Sequence, residues 1–504
     1  MTEQARRRRT RKTRSADVIR QASWKTLSYQ HPPHALLSAD AIESIHRAGL
    51  NILRDTGMTV LSAPAREKYA EAGFEVIDER VRFDPDGVES FIAKAPSSFT
   101  LQARNPDKQI KLGEQQAVFS SVGGPAYVMD LDHGRRNGTY QELCDFMRLV
   151  QSLDILHQEG GGGFEAMDLP ASSRHLDLFY AECTLLDKNW IPWTMGRGQA
   201  LDAIQMAAIS LGQTVEDLMT RPALCGIINT NTPLQLDIPM AEGLMTMAEH
   251  GQGVAVTPFT LSGAMAPVTL AGALALQHAE AMAGIALTQI VRPGAPVLYG
   301  GFTSNVDMKT GSPAFGTPEY LQAAQATGQL TRRLGVPFRS SNVNAANAPD
   351  AQAAYESCMS LWGAITGQAH MIKHAAGWLH GGLTASLEKL IIDADILQMV
   401  AASLEAFDVD ADTLAMDAIR EVGPGGHFFG SAHTMERYED AFYAPLVSNW
   451  SNYETWLEAG SIDTERRANQ IWKQLLREYE QPPLDPAIDE ALQDYVQKRK
   501  LELE

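Results

Sequence analysis

The sequence predicts an α/β fold, a (β/α)8 TIM barrel with an N-terminal α/β cap region and a C-terminal helical extension. Three observations point there. From about residue 150 short apolar runs recur, each ending in a Gly-, Asn- or Ser-rich loop. Most successive starts lie about 30 to 42 residues apart, room for one strand, one loop and one crossover helix. The segments between read as helices rich in Ala and Gly, which pack closely on a sheet; Met240–His250 and Ala271–Gly284 are examples. Seven runs begin at Ile155, Ile191, Ala223, Val254, Pro296, Pro337 and Ala369, and the opening stretch supplies the eighth. A doubly wound sheet would carry GxGxxG after its first strand, and none stands in that context.

In chain order, residues 1–30 read as a disordered or extended basic arm, with seven basic residues between Arg6 and Arg14. That run would also suit a nucleic-acid contact or a presequence, but a solvated tail is its plainest reading. The α/β N-terminal region is placed at 31–135. Ser38 caps a helix that ends at Gly57, where glycine suits the turn out of a helix. Strands are expected at 58–61, 74–83 and 98–106, with helices near 63–72 and 85–94. Residues 117–130 read as a hairpin turning at Gly123–Gly124. The barrel is assigned to 136–435 and C-terminal helices to 436–504, with Pro482–Pro483 breaking the tail before a last helix.

Composition narrows the function. Of the 504 residues, 44% are hydrophobic and 20% charged, as in ordinary globular chains, and the formal net charge of −19 argues against nucleic acid as a partner. Four scattered cysteines without CxxC give neither a disulfide framework nor a zinc signature, which suits a reducing cytoplasm. No uninterrupted apolar run of 18 residues is present, so no membrane span is expected. A cytoplasmic protein acting on something small is the expectation.

The loops after the runs carry the candidate site. They include GGGGF at 160–164, WIPWTMGRG at 190–198, PFTLSGAMAP at 258–267, YGGFTSN at 299–305, HAAGWLHGG at 374–382 and GPGGHFFG at 423–430. Aromatic faces attract a cation that has no hydrogen to donate, such as a quaternary ammonium. Trp190, Trp193, Phe259, Tyr299, Phe302, Trp378 and Phe428 are the candidate cage, with Phe164 and Phe429 beside them; rings at such loops also serve simply as packing. Arg197 and Arg339 are candidates for a carboxylate fork, or for pairing with a protein carboxylate. His374, His380 and His427 fall in the last loops, and hydrogen bonding to an anionic end fits them better than zinc, which wants acidic or thiolate help. No metal site is assigned. Acid–base chemistry through Asp350, Glu356 or Lys373 is a rival reading, as is a non-catalytic quaternary-amine binder.

The stretches EVGPGGHFFGSAHT, APDAQAAYES (348–357), HAAGWLHGGLTAS (374–386) and W-L-E-A-G…RA (456–468), in that company, resemble the trimethylamine methyltransferase family. The resemblance runs from about residue 40 to 485. It implies a TIM barrel that moves a methyl group from a methylated amine to the cobalt of a separate corrinoid protein, and it implies no cofactor held tightly by this chain. Founding members use a pyrrolysine, which would fall near Asn342, Asn344 and Asn347; ordinary residues stand there. The chain is therefore similar to the members that act on quaternary amines, glycine betaine the first guess. The roles implied are a cage from the aromatics and a grip on the substrate's polar end by His374, His427 or Arg197. The glycines at 160–163 and 423–426 would keep the mouth low for the corrinoid. A homo-oligomer is compatible with the helical tail.

Overall fold

The computed structural model describes residues 19–503. Eight parallel strands form a ring: β1 Gln116–Phe119, β2 Gln158–Glu159, β3 Asn189–Trp190, β4 Cys225–Ile228, β5 Gly253–Val256, β6 Val297–Gly300, β7 Phe338–Ser341 and β8 Met371–Lys373. A helix follows each one, from Tyr140–Ser152 after β1 to Leu387–Ser403 after β8. Ladder bonds join β4, β5, β6, β7, β8 and β1 in sequence, β2 pairs with β3, and Ser120 bridges Gln158 to link β1 to β2.

No ladder forms between β3 and β4, so the architecture is barrel-like without being closed by backbone pairing all round. The seam has a local cause. β3 is two residues long and runs into Pro192, which has no N–H to give. The Asn189 side chain spans the gap instead, donating to Ala223 O at 2.7 Å.

The first strand corrects an expectation. Residues 117–130 are not a hairpin: β1 pairs in parallel with β8, while Tyr127–Asp130 belongs to another sheet beside Thr384–Ser386. The turn signal at Gly123–Gly124 has a different origin. A Cβ on Gly123 would lie 2.0 Å from Gly160 O, so the loops after β1 and β2 touch backbone to backbone there. The 74–83 segment is likewise two antiparallel strands, Glu75–Ile77 and Arg80–Arg82, rather than one.

Strand alternation sorts the ring's side chains. Val118, Ile191, Cys225, Ala255, Leu298 and Met371 face inward and pack with Leu101, Ile110 and Leu112. Those last three come from the hairpin Ser98–Leu101/Ile110–Gly113, which plugs the N-terminal end of the ring. The interior of the ring is thus filled from that end and opens at the C-terminal end.

Outside the ring, helix Ala39–Asn51, capped by Ser38 Oγ, packs on Leu270–Val291. That 22-residue helix is long and apolar enough to cross a membrane by length and composition, but 83% of its apolar window is buried inside the protein. Gln277, His278 and Glu280 interrupt its apolar sequence, and all three are hydrogen-bonded within the core. The C-terminal segment is tied back by carboxylates. Asp395 accepts from Leu446 N, Ser448 N and Tyr443 Oη, and Glu388 accepts from Asn469 and Trp472. The basic run Arg6–Arg14 lies outside the described residues.

Candidate active site

A cavity of about 380 Å³ opens at the C-terminal end of the ring. Its rings come from four loops: Trp193 after β3, Phe259 after β5, Phe302 after β6, and His374 with Trp378 after β8. Phe259 and Phe302 stand 5.1 Å apart, Phe302 and Trp378 6.3 Å, and His374 and Trp378 4.4 Å. The indoles are fixed by backbone. Trp193 Nε1 donates to Gly161 O at 2.8 Å, and Trp378 Nε1 donates to Asn344 O at 3.0 Å. Asn344 Nδ2 returns a bond to Trp378 O at 2.8 Å.

His374 is held at φ 55°, a left-handed conformation that a non-glycine residue seldom adopts. Such a backbone points to a functional position. Its Nδ1 lies 3.3 Å from Ser341 Oγ. Burial, with Lys373 and Arg339 close by, pushes the imidazole well below its ordinary range, so it is a neutral ring in the cavity wall.

Arg339 of β7 and Lys373 of β8 supply the charge at the cavity floor. Arg339 is 1% exposed, and its Nε and Nη1 have no protein acceptor. Its guanidinium carbon lies 5.5 Å from the Phe302 ring centre. Burial brings it down to about 10, which still leaves a cation at neutral pH. Burial and the Arg339 charge bring Lys373 down to about 7, so its charge is in balance near neutrality. A buried cation with two nitrogens unpaired by protein is costly, which sets Arg339 apart from the other charged groups of the wall.

Behind the loop of glycines, Glu159 accepts from Gly161 N at 2.6 Å and Gly162 N at 3.0 Å. Burial raises its carboxyl, and burial with the Glu159 charge raises that of Glu182 further, so the pair retains a proton. No sequence motif marks this pair. An acid inside the apolar helix Arg174–Leu185 was the available signal.

Several candidate residues lie elsewhere. Trp190 faces outward and packs on Phe179 at 5.5 Å. Tyr299 is outward too, its hydroxyl 3.1 Å from His278 Nδ1. Strand alternation is the reason in both cases, since Ile191 and Leu298 hold the inward places. Arg197 pairs with Glu249 on the surface at 3.0 Å. His427 and Phe428 are exposed, and no residue of 423–430 lines the cavity. The glycines at 423–426 therefore leave the mouth untouched. Of those at 160–163, Gly161 lines the cavity, while Gly160 is packed on Ser121 O and Gly163 on Phe146. Phe164 packs on Phe146, Phe429 is exposed, and His380 bonds Thr384 Oγ1 and Asn347 O. Asn342 and Asn344 are buried and bond Ala375 O and Trp378 O, so they brace the wall; Asn347 is exposed. Asp350 caps helix Ala351–Thr366, and Glu356 accepts from Ala345 N and Ala346 N. Among the described residues no three His, Cys, Asp or Glu side chains converge as a metal would require.

A barrel-like α/β protein with a ring-lined well over a buried cation has the form of an enzyme for a small charged molecule. Comparison with known proteins narrows the class. The family model "Trimethylamine methyltransferase (MTTB)" matches residues 3–504, and the chain belongs to that methyltransferase family. It is 36% identical over 473 residues to a glycine betaine methyltransferase of Desulfitobacterium hafniense (strain Y51), covering 94% of this chain and 98% of that one. It is 28% identical to a trimethylamine methyltransferase of Methanosarcina barkeri (strain Fusaro), covering 92% and 94%. The solved monomethylamine methyltransferase of Methanosarcina barkeri has the same fold at a TM-score of 0.51 and 9% identity, over 88% of each chain.

Proposed function

We propose that this methyltransferase removes a methyl group from a quaternary amine that also bears a carboxylate, glycine betaine first among candidates, and passes it to the cobalt(I) corrinoid of a separate protein. The observation that carries the reading is Arg339, a buried cation whose Nε and Nη1 have no protein acceptor, beside a well lined by Trp193, Phe259, Phe302 and Trp378. The rings take the trimethylammonium head, the neutral His374 adds a face without adding charge, and Arg339 with Lys373 takes the carboxylate. The 36% identity to a protein named for glycine betaine supports the same reading.

The chemistry agrees. Breaking a C–N bond of a quaternary ammonium leaves the electron pair on nitrogen and releases a neutral tertiary amine, with no proton needed. Trimethylamine would release an amide anion unless first activated, and residues 342–348 are ordinary amino acids. The methyl acceptor supplies the pair for the new carbon–cobalt bond. The protein's task is to hold the methyl group in line toward the open mouth, which is positioning.

The test is spectroscopic. With a reduced corrinoid carrier, glycine betaine, proline betaine or carnitine should yield methylcobalt(III), and choline and trimethylamine should not. Conversion of choline as fast as the best betaine would remove the role given to Arg339. The near-neutral Lys373 also suits a general base, the acid–base reading; no methyl transfer from any amine would favour it.

A further inference from the structure

Helix Leu270–Val291 is apolar along most of its length, yet Gln277 and His278 lie fully buried within it. Their hydrogen bonds form one line that runs from the surface to the well. Glu89 of helix Pro85–Ile92 is half-buried and pairs with Arg333 Nη2 at 3.0 Å. His46 Nε2 lies 3.1 Å from the same Glu89 oxygen, and His46 Nδ1 lies 2.9 Å from His278 Nε2. His278 Nδ1 meets Tyr299 Oη at 3.1 Å, and Gln277 Nε2 donates to Tyr299 Oη at 3.2 Å and to Thr327 Oγ1 at 3.1 Å. The amide oxygen of Gln277 accepts from Phe302 N at 3.1 Å and from Thr303 Oγ1 at 2.7 Å. Two helices must come close for the imidazoles to meet. Gly49, one turn beyond His46, allows it: a Cβ there would stand 3.1 Å from His278 Cδ2.

We propose that Gln277 is the positioning residue for Phe302, the central ring of the well, and that the line Glu89–His46–His278–Tyr299 fixes which way its amide faces. The direction follows from donors and acceptors alone. A carboxylate can only accept, so His46 carries its hydrogen on Nε2 and leaves Nδ1 bare. His278 must then donate from Nε2, and its bare Nδ1 takes the Tyr299 hydroxyl hydrogen. The Tyr299 oxygen is left to accept, which calls for the NH2 of Gln277 and turns the Gln277 oxygen toward Phe302 N. A reversed amide would set that NH2 against the Phe302 N–H, two donors facing each other in a dry core. Each imidazole needs a single hydrogen for this order. Burial holds both below their ordinary range, with Arg333 lowering His46 further and His46 lowering His278. The other side of the Phe302 backbone is held as well, since Phe302 O accepts from Thr260 N at 3.1 Å, directly after Phe259. The Phe302 ring stands 6.2 Å from His374 and 5.5 Å from the Arg339 guanidinium carbon, so a shift there moves it against both cage and cation. The inference rests on the cage reading of the well for its binding readout, and on the hydrogen bonds alone for the other.

Tyr299→Phe removes one oxygen and frees the Gln277 amide to turn. Hydrogen exchange at Phe302 N should then quicken about tenfold or more, while Gly301 N, bonded to Arg339 O at 2.9 Å, is unchanged. Tetramethylammonium fills a cage without needing a carboxylate site. By calorimetry it should bind Gln277→Met about three- to thirtyfold more weakly than the unmodified protein, and glycine betaine should weaken by the same factor. Gln277→Glu should restore affinity, because a buried carboxyl keeps its proton and supplies both a donor toward Tyr299 and an acceptor toward Phe302 N. A general loss of packing would spare neither variant. If Gln277→Met does not fold, or if no quaternary amine binds the unmodified protein and the cage reading falls, exchange at Phe302 N decides alone. Unchanged exchange in Tyr299→Phe, full affinity in Gln277→Met, no recovery in Gln277→Glu, or a loss several times larger for the betaine than for tetramethylammonium overturns the proposal.

Discussion

Arg339 and Lys373 sit on adjacent strands on the side of the ring opposite its seam, and they respond differently to pH. Arg339 stays cationic throughout, so Arg339→Gln should cost the carboxylate its main partner. A lost charged hydrogen-bond pair of about 2–4 kcal/mol corresponds to a fall of roughly 30- to 1,000-fold in kcat/KM for a betaine. Thermal stability should hold or rise, because an unpaired buried cation has been removed. Lys373 is charged below about 7 and neutral above it in the free enzyme, so KM for a betaine should rise as pH climbs through that value. Lys373→Met should flatten the profile. The stability sign is opposite to that of a paired lysine. An unfolded lysine titrates near 10.5 and the folded one at about 7, so folding is penalised increasingly as pH falls through that window. Lys373→Met should therefore raise Tm at pH 7 and below and change little above pH 10.5. For the cage, Phe302→Leu or Trp378→Leu should each cost about 0.5–2 kcal/mol of ammonium binding, read as a rise in KM or in the inhibition constant of a quaternary amine.

At the scale of elements, the loop after β8 depends on helix Leu387–Ser403. Asp393 Oδ2 accepts from Gly377 N at 2.9 Å, immediately before Trp378, and its other oxygen pairs with Lys389, which also donates to Ser357. All of this is fully buried. Asp393→Ala would leave the Lys389 ammonium without its counter-charge and Gly377 N without its acceptor, a loss of about 3–5 kcal/mol. A lowered Tm with a weakened betaine KM is expected, and adding Lys389→Met should recover much of the Tm but not the KM, because the ion pair carries stability while the Gly377 bond positions Trp378. If the double variant recovered both, the loop would owe nothing to that bond.

For the whole molecule, the C-terminal helix Pro486–Leu503 closes the side of the ring near its seam. Tyr495 Oη and Arg499 Nε both donate to Asp202 Oδ1 at 2.8 Å, while His175 takes Oδ2 at 2.9 Å. Those partners hold the Asp202 carboxyl below its usual range despite burial, which pushes it the other way. A chain ending before Pro486 strips Asp202 of two of its three partners and uncovers helices Arg174–Leu185 and Arg197–Ser210. A drop in Tm of several degrees is expected, with the rings of the cavity, and hence KM at low temperature, little altered. Equal losses of KM and Tm would mean that the seam transmits strain to the well.

The repetition of apolar runs and loops determined much by itself: six of the eight ring strands, with β3 falling just ahead of the run at Ile191, the helices between them, the cap helix ending at Gly57 and several of the rings in the well. These follow from local pattern, since periodicity and turn chemistry act within a few residues of one another. The opening strand was misread because its pairing partner, β8, lies about 250 residues away and a nearby Gly–Gly imitated a hairpin. Tertiary structure alone chose which rings and charges meet. Trp190 and Tyr299 are set outward by alternation, whereas Arg339 and Lys373 are set inward, and a strict count from Ile191, Leu298 and Met371 was the clue available in the sequence. It also sent GPGGHFFG, as glycine-rich and aromatic as any loop of the well, away from the mouth. Composition marks a segment as able to approach a ligand, but only the path of the folded chain decides whether it does.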